Sequence, residues 1–354
     1  MERPVSQENL VISIDAMGGD NSPKVVIEGL NLAHKRNPSI RFLIYGDEKK
    51  VNEEMDKFPE LRTVSEIFHT EEFVHNEDKP SHVIRNRNTS MYQAIEAVKQ
   101  GKAQAVVSAG NTGALMAISK LVLKTIQKIH RPAIVSIMPH ESGRYVMLDL
   151  GANTECDGIN LAEFAIMGSV YAKCALNVEN PRVALMNIGA EEMKGKEEIH
   201  MAAHIIKNTH LNLNFIGYIE PHEIPKNKAD VVVADGFSGN IALKSVEGTS
   251  RLMMHLIKNS IKKSFFAKLG LPFMIGAIKS LKQNMDPRLY NGAMFVGLNG
   301  LSVKSHGGTD AFGFSVAVEN AAKLVAKDFV GSIRKELEHV DLDELSQEAY
   351  YEVY

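Results

Sequence analysis

Polar, glycine-rich loops follow several short apolar runs of the sequence, and three of them have the composition of an anion site. They contain Asp15–Asp20, Gly110–Gly113 and Ser305–Thr309. Glycine lets the backbone pass close to a ligand, and free amide N–H groups at the start of a helix favour a negative charge. Together these loops predict a binding site for an anion. For each loop taken alone, an ordinary strand-to-helix turn is the alternative.

Three further side chains lie just after apolar runs and have the chemistry to act on a substrate. Lys194 follows the run 183–188 and offers a point charge, and Asn240 follows the run 231–234 and can donate a hydrogen bond to a developing oxyanion. His306 can serve as an acid, a base or a donor to phosphate. The alternatives are a solvated surface lysine, a helix N-cap at Asn240 and a structural hydrogen bond at His306.

No pattern in the sequence indicates a metal or a cofactor. The phosphate-binding pattern GxxxxGK[ST] is absent, and no GxGxxG pattern follows an apolar run. Cys156 and Cys174 lack CxxC spacing, so we expect small buried side chains rather than zinc ligands or a disulfide. The residues alone therefore predict an enzyme with an anion site, and they leave the reaction open.

The apolar runs that precede these loops are short, continuous and rich in Val and Ile. They lie at 11–15, 105–109, 145–150, 183–188, 231–234 and 301–304. Such runs are typical of strands buried on both faces of a parallel sheet, and their alternation with helical patterns predicts an α/β protein. Ligands of such sheets bind beyond the carboxyl ends of the strands, so we expect the six loops to gather at one edge. Ser22 and Pro23 predict the start of the first helix, with Ser22 as its N-cap.

The composition limits the classes of partner. The chain has 354 residues, a formal net charge of −3 and no tryptophan. This balance provides neither a basic field nor an aromatic platform for nucleic acid. The amino terminus lacks the basic and apolar regions of a signal peptide, and no run of about 18 uncharged apolar residues predicts a membrane span. We therefore expect a cytoplasmic protein with ample core for one large domain or two.

One segment breaks the α/β pattern. Residues 249–285 contain lysine and arginine but no aspartate or glutamate. Apolar residues recur there every four positions, which predicts an amphipathic helix, and the pattern resumes after a break at Gly270 and Pro272. A helix pair with an apolar tip and basic flanks suits an anionic membrane or an acidic protein. A core or dimer-packing helix pair is the alternative.

The loop motifs resemble those of the bacterial phosphate acyltransferase family, in the same order along the chain. The matching stretches are IDAMGGD at 14–20, SAGNTGAL at 108–115, DLGAN at 149–153, AIMGSVY at 165–171, DGFSGN at 235–240 and SHG at 305–307. The resemblance implies transfer of a long-chain fatty acyl group from acyl carrier protein to inorganic phosphate, which gives acyl phosphate for phospholipid synthesis. It also implies a homodimer, no cofactor and a role in catalysis for Lys194 and Asn240.

The resemblance also implies the fold, its division and the binding residues. The expected fold is a Rossmann-like α/β/α sandwich with a largely parallel sheet, similar to isocitrate and isopropylmalate dehydrogenases, plus a protruding helical pair. One catalytic domain would span 10–338, with the helical segment at 249–288 inside it and an acidic tail at 339–354. The implied substrate-binding set is Asp15, Gly18, Gly19, Asp20, Gly110, Asn111, Thr112, Gly113, Asn153, Asp235, Ser238, Gly239, His306 and Gly307. The stretch 81–90 is less basic than the resemblance leads us to expect, so Arg85 and Arg87 receive no role.

Peripheral membrane contact is implied by the next step, since acyl phosphate would pass to a membrane-bound glycerol-3-phosphate acyltransferase. The expected contact residues are Leu252, Leu256, Phe265, Phe266, Phe273 and Ile275. Three alternatives stay open at this point. They are an acyl-CoA or acetyl phosphotransferase on the same fold, a metal- and NAD-dependent dehydrogenase, and a membrane scaffold without enzyme activity.

Overall fold

A single mixed sheet organises the protein. The computed structural model describes residues 10–191, 193–208, 213–263 and 286–338, and the single residues 273, 276, 340 and 342. Within them the strands are β1 Leu10–Asp15, β2 Ile40–Gly46, β3 Ser65–His69, β4 Ala105–Ser108, β5 Ala133–His140, β6 Gly143–Leu148, β7 Arg182–Met186, β8 Asn214–Ile219, β9 Val231–Val233, β10 Ala293–Val296 and β11 Leu301–Lys304. Their order is β3-β2-β1-β4-β11-β10-β5-β6-β9-β7-β8. All six predicted strands are present.

Helices connect most of the strands. Within the same described ranges they are α1 Lys24–Arg36, α2 Glu48–Met55, α3 Pro59–Thr63, α4 Pro80–Val83, α5 Ser90–Lys99, α6 Thr112–Leu123, α7 Gly158–Leu176, α8 Glu197–Asn208, α9 Gly236–Lys263, α10 Ala311–Ala326 and α11 Phe329–Leu337. Short 3-10 helices lie at Ile224–Lys226 and Pro287–Tyr290.

The strands fall into two parallel groups that run in opposite directions. β1, β2, β3, β4 and β11 are parallel to one another, and so are β6, β7, β8 and β9. Between the groups, β10 is antiparallel to both β11 and β5, and β5 is antiparallel to β6. The sheet is therefore mixed, with a change of direction at its centre.

The core lies on both faces of this sheet. Within β4, Ala105 and Val107 join a cluster with α1, α7 and α10, whereas Val106 joins a cluster with α5 and α6. Alternate side chains of a strand point to opposite faces, so helices cover both sides here. This double cover explains why the strand runs are apolar throughout.

α7 is the central helix of one layer. It begins with a capping box formed by Asp157 and Asn160, and nearly all of it is buried. A β-carbon on Gly168 would lie 2.6 Å from Val231, so this glycine allows α7 to pack closely on the sheet. Among the described residues α7 is the one helix long and apolar enough to cross a membrane, and 83% of its most apolar stretch is buried inside the fold.

The first helix begins differently from the sequence prediction. Pro23 is the N-cap of α1 and no side chain caps the helix. The Ser22 hydroxyl instead donates to the carbonyl oxygen of Gly18, which tightens the preceding loop. The prediction of Ser22 as N-cap is therefore wrong, because the hydroxyl serves the loop rather than the helix.

Candidate active site

The six predicted loops leave the sheet at two opposite edges. The loops after β1, β4 and β11 lie where these parallel strands end, which we call the first edge. The loops after β6, β9 and β7 lie where those strands end, which we call the second edge. Because strand direction reverses between β11 and β6, the second edge lies where β4 and β11 begin. The expectation that all six loops share one edge is wrong.

Asp15 supports the first edge from beneath. It ends β1 and is almost completely buried. Its two carboxylate oxygens accept hydrogen bonds from the hydroxyls of Ser90 and Ser108, each at 2.7 Å. Burial raises the pKa of the Asp15 carboxyl, and these hydroxyl bonds act in the opposite direction. Within the predicted binding set, Asp15 therefore has a supporting position under the loops.

The three first-edge loops touch one another through their glycines. A β-carbon on Gly18 would lie 2.5 Å from the amide nitrogen of Gly110. The Asp20 amide donates to the carbonyl oxygen of Gly307 at 3.0 Å. Gly19 has φ +106°, a conformation that disfavours other residues. The structure thus brings Gly18, Gly19, Asp20, Gly110 and Gly307 together, as the sequence predicts for this group.

Asn111 has a structural task at the start of α6. Its side-chain oxygen accepts from the Ala114 amide at 3.0 Å, and its side-chain nitrogen donates to the carbonyl oxygen of Asn76 at 2.8 Å. It is therefore the N-cap of α6, with both ends of its amide engaged within the protein. Thr112 follows it as an exposed first residue of the helix, and Gly113 packs against Pro80.

His306 is exposed at the first edge. Its backbone amide donates to the side-chain oxygen of Asn291 at 3.0 Å, and its ring Nδ1 accepts from the Gly308 amide at 3.2 Å. An accepting Nδ1 places the proton of a neutral imidazole on Nε2. His306 can thus present an N–H donor outward while its own loop fixes the ring.

Asp149 organises the second edge. It is completely buried and accepts five hydrogen bonds, four from the backbone amides of residues 134, 151, 152 and 153 and one from the side chain of Asn153 at 2.9 Å. Burial raises the pKa of Asp149, while these donors favour its ionised form. Asn153 also donates to the carbonyl oxygen of Pro132 at 2.8 Å. Asn153 is thus held within the protein as a link between two loops.

The first turn of α9 lies directly on this loop. β-Carbons on Gly236 and Gly239 would lie 2.5 Å from the carbonyl oxygen of Asn153 and 2.0 Å from that of Asp149. Asp235 precedes the helix and accepts from the Ser238 amide at 2.7 Å and from its hydroxyl at 2.9 Å. The motif DGFSGN therefore encodes a capped helix start that approaches a neighbouring backbone.

Asn240 lies inside α9, four residues after its first residue. The alternative of an N-cap before Ile241 is therefore wrong. A β-carbon on Gly151, which has φ +129°, would lie 2.6 Å from the side-chain nitrogen of Asn240. Asn240 is only partly buried, so its side-chain amide, next to the Gly151 backbone, is accessible at the second edge.

Lys194 lies on the exposed loop that follows β7. Its ammonium pairs with Glu191 at 2.8 Å, and both side chains are more than half exposed. Asn187 shapes this loop by donating to the carbonyl oxygen of Lys194 and accepting from the Ile188 amide. An exposed pair of this kind contributes little energy, so Lys194 can exchange Glu191 for another anion.

Lys194 and Asn240 belong to the same edge, because β7 and β9 are neighbouring parallel strands. Their loops meet where Lys196 lies 3.9 Å from the carboxylate of Asp235. A small cleft of about 70 Å³ lies at this junction, and its lining includes Cys156, Lys196 and Asp235 but neither Lys194 nor Asn240. Burial raises the pKa of Cys156 to about 12, so its thiol stays protonated near neutral pH and is a poor nucleophile.

The sequence prediction missed two charged groups at these edges, the buried Glu163 and the partly buried Lys304. Glu163 of α7 accepts from the backbone amide and Nδ1 of His130, beside the loop that Asn153 holds. Lys304 ends β11 and donates to the carbonyl oxygens of Ala109 and Ser305. Glu163 interrupts an apolar helix and Lys304 ends an apolar strand, which is the signal that could have marked them, but the sequence does not say what surrounds either side chain. Among the described residues, no three His, Cys, Asp or Glu side chains converge as metal ligands would.

The described part of the basic segment is exposed. Only Gly236 and Gly239 of the 28 residues in α9 are buried, which excludes the core-helix alternative for it. Leu252 and Leu256 are 57% and 51% exposed, and Phe273 is 91% exposed. Phe265, Phe266 and Ile275 lie outside the described residues. α9 is therefore an exposed helix, and the predicted helical pair and its contact partner stay predictions.

The fold is similar to that of known phosphotransacetylases. A phosphotransacetylase from Streptococcus pyogenes superposes with a TM-score of 0.63, 19% identity and coverage of 90% of this chain and 94% of the other. EutD phosphotransacetylase from Staphylococcus aureus gives a TM-score of 0.59, 17% identity and coverage of 91% and 96%. At these identities the similarity shows the fold alone, a mixed α/β protein with a large central sheet.

Sequence similarity is far closer to proteins of one activity. The family model described as "Fatty acid synthesis protein" matches residues 10–331. A phosphate acyltransferase of Paramagnetospirillum magneticum is 49% identical over 338 residues, which are 95% of this chain and 96% of the relative. Another, of Parvibaculum lavamentivorans, is 47% identical over 95% of this chain and 92% of its own length. The chain therefore belongs to the phosphate acyltransferase family and is an acyltransferase.

Proposed function

We propose that this enzyme transfers a long-chain fatty acyl group from acyl carrier protein to inorganic phosphate, giving acyl phosphate for phospholipid synthesis. The names of the relatives supply the reaction class, and the family description supplies the link to fatty acid synthesis. The structural observation that supports the proposal is that Lys194, in the loop after β7, and Asn240, in the first turns of the helix after β9, follow neighbouring parallel strands and so belong to the same edge of the sheet. A cation and a neutral donor at one edge of the sheet are what an attacking anion and a developing oxyanion require.

In this proposal phosphate is the nucleophile. A phosphate oxygen attacks the thioester carbon, the carbonyl oxygen becomes an oxyanion, and the thiolate of the carrier's pantetheine arm leaves as the carbonyl reforms. Phosphate is nucleophilic near neutral pH, so the reaction needs no enzyme nucleophile, and the protonated Cys156 is not required. The enzyme supplies position and charge compensation.

Lys194 would hold the phosphate by exchanging its exposed pairing with Glu191 for the substrate. Asn240 would donate to the thioester oxygen, with its amide held over Gly151 by the helix start. The first-edge loops would hold a further part of the substrates through their amides. The two edges belong to oppositely directed strands and therefore lie on opposite sides of one chain. We propose a homodimer, in which the loops of the first edge of one protomer lie near the loops of the second edge of its partner.

The same proposal extends to fold detail, cofactor and location. We assign the sheet to the middle layer of a Rossmann-like sandwich without a cofactor. We place the enzyme in the cytoplasm, with peripheral contact to the membrane or to a membrane-bound glycerol-3-phosphate acyltransferase. Support comes from α9, where Leu252 and Leu256 are exposed beside Arg251, Lys258 and Lys262.

Product identification tests the reaction. The purified protein is given phosphate with long-chain acyl carrier protein, or with long-chain acyl-CoA or acetyl-CoA, and the products are identified by mass. We expect acyl phosphate and free carrier thiol from the first donor at the highest kcat/KM. If only a CoA thioester gives acyl phosphate, the acyl donor is CoA rather than acyl carrier protein. If free fatty acid is released without acyl phosphate, phosphate is not the acyl acceptor.

A further inference from the structure

A lysine that the sequence did not single out lies beneath the first edge. Lys304 is the last residue of β11, paired in register with Ser108 of β4. Its ammonium donates to the carbonyl oxygen of Ala109 at 3.1 Å and to that of Ser305. These carbonyls belong to the loops after β4 and β11, so one cation joins two of the three loops.

The positive charge of Lys304 has no close counter-charge. Within the described part of the chain no carboxylate oxygen lies within 4.0 Å of its ammonium. The acids that act on it from farther away are Asp15 and Asp20, and both are engaged elsewhere. Asp15 binds two serine hydroxyls, and Asp20 accepts from Asn76 at 2.9 Å. Lys304 is only partly exposed, and charges withdrawn from water are normally paired, so an ammonium that binds only carbonyl oxygens is suited to receive an anion.

The surrounding loops have the donors that an anion requires. Asp20 and Gly308 use their amides within the protein, but the amides of Gly19, Asn111 and Gly307 have no acceptor among the described residues. α6 begins in one of these loops, and a helix start favours negative charge. An ammonium has three N–H donors, and the described contacts of Lys304 use two of them.

We propose that Lys304 is the cation of a phosphate-binding site at the first edge. Its remaining donor contacts an oxygen of a phosphate-type anion, and free loop amides contact the others. This inference rests on the proposed function and deepens it, because it separates a phosphate site at the first edge from Asn240 at the second. The phosphate is either that of the carrier's pantetheine arm or the inorganic acceptor, which share this chemistry; in the second case Lys304 would hold the acceptor in place of Lys194.

The charge state of Lys304 supports this role near neutral pH. Burial lowers its pKa to about 8, and Asp15 and Asp20 act in the opposite direction. The ammonium is therefore mostly charged at pH 7 and mostly neutral at pH 9. Binding should weaken over this range, although inorganic phosphate itself becomes more negative.

Direct binding tests the site without relying on turnover. Titration calorimetry at pH 7 measures the affinity for inorganic phosphate and for phosphopantetheine in the wild type, Lys304→Met and Lys120→Met, the last being an exposed lysine of α6. We expect Lys304→Met to weaken binding of one ligand by about 10- to 100-fold, since charged hydrogen bonds have this effect, and Lys120→Met to leave it unchanged.

The ligand whose affinity changes identifies the occupant, as acceptor or as donor arm. Equal affinities of the wild type and Lys304→Met for both ligands would overturn the inference. If Lys304→Met does not fold, Lys304→Gln, which keeps a donor for the loop carbonyls without the charge, is titrated instead, and wild-type affinity of this variant for both ligands would overturn the inference. A wild type that binds phosphate but forms no acyl phosphate would remove the proposed function and leave this site standing.

Discussion

Gly239 approaches Asp149 so closely that a β-carbon on the glycine would lie 2.0 Å from the aspartate's carbonyl oxygen. The first turn of α9 therefore packs on the backbone of the loop after β6. This contact fixes the distance between the Asn240 side chain and the Gly151 backbone. One backbone contact thus positions both the exposed helix α9 and Asn240, the donor proposed for the oxyanion.

Replacing Gly239 should damage both stability and activity. In Gly239→Ala the added methyl meets backbone, which no rotamer change can relieve, so the helix start must move. We expect a loss of about 1–3 kcal/mol in the free energy of unfolding, measured by urea denaturation, because overpacking has this cost. We also expect kcat/KM to fall more than tenfold, since the next residue is Asn240.

Gly248→Ala is the matched control in the same helix. A β-carbon there meets nothing within 4 Å, and the residue is exposed. Alanine in an exposed helix interior is favoured over glycine by about 1 kcal/mol, so this variant should be more stable with unchanged kcat/KM. Equal losses in both variants would show that the contact with Asp149 is not decisive.

The proposed roles of Asn240 and Lys194 predict different kinetic effects. Asn240→Ala should lower kcat by about 100- to 1,000-fold, as loss of an oxyanion donor does. Lys194→Ala should mainly raise the KM for phosphate, because a binding charge is lost. Lys244→Ala, which removes an exposed lysine of α9, should change neither. Near-normal kcat/KM in both site variants would show that these roles are wrong.

Glu163 predicts a dependence of stability on pH. It is completely buried, and burial raises its pKa from 4.5 to about 7, against the hydrogen bonds from His130. The folded state therefore binds the proton more tightly, so this contribution to stability is full below pH 4.5 and is lost as pH rises through 7. At about 1.4 kcal/mol per pKa unit, the loss amounts to about 3 kcal/mol.

Glu163→Gln should remove that loss. Urea denaturation between pH 5 and pH 8 should show the wild type weakening relative to the variant as pH rises. Glu60→Gln, at an exposed position of α3, should follow the wild type. Parallel curves for the wild type and Glu163→Gln would mean that the carboxyl titrates at an ordinary pH.

Membrane contact by α9 predicts a sharp difference between two adjacent positions. Leu256→Glu adds a charge and removes an exposed apolar side chain, whereas His255→Glu adds the same charge at an exposed polar position. We expect only Leu256→Glu to abolish flotation with anionic liposomes, because apolar burial contributes most of the binding. Flotation lost equally in both variants would indicate charge attraction alone, and a changed oligomeric mass in Leu256→Glu would indicate a dimer helix.

The sequence by itself determined six of the eleven described strands, the loops that follow them and the family. Short, largely apolar runs between polar loops are typical of strands buried on both faces, and β11 was predicted with its observed bounds. The glycines at 18, 110 and 307 were predicted together because only glycine permits such close backbone contact. An amphipathic helix in the basic segment also followed from its apolar and basic pattern, although a core position was excluded only by the exposure of α9 in the structure.

Only the tertiary structure decided how these pieces are arranged. An apolar run has the same composition whichever way its strand points. The sequence therefore could not predict that strand direction reverses between β11 and β6, which divides the loops between two edges. The tasks of Asn111 and Ser22 depended on which neighbours their side chains reached. The unpaired charge of Lys304 likewise exists only once β4 and β11 are adjacent, because burial and the distance to a counter-charge are properties of the folded chain.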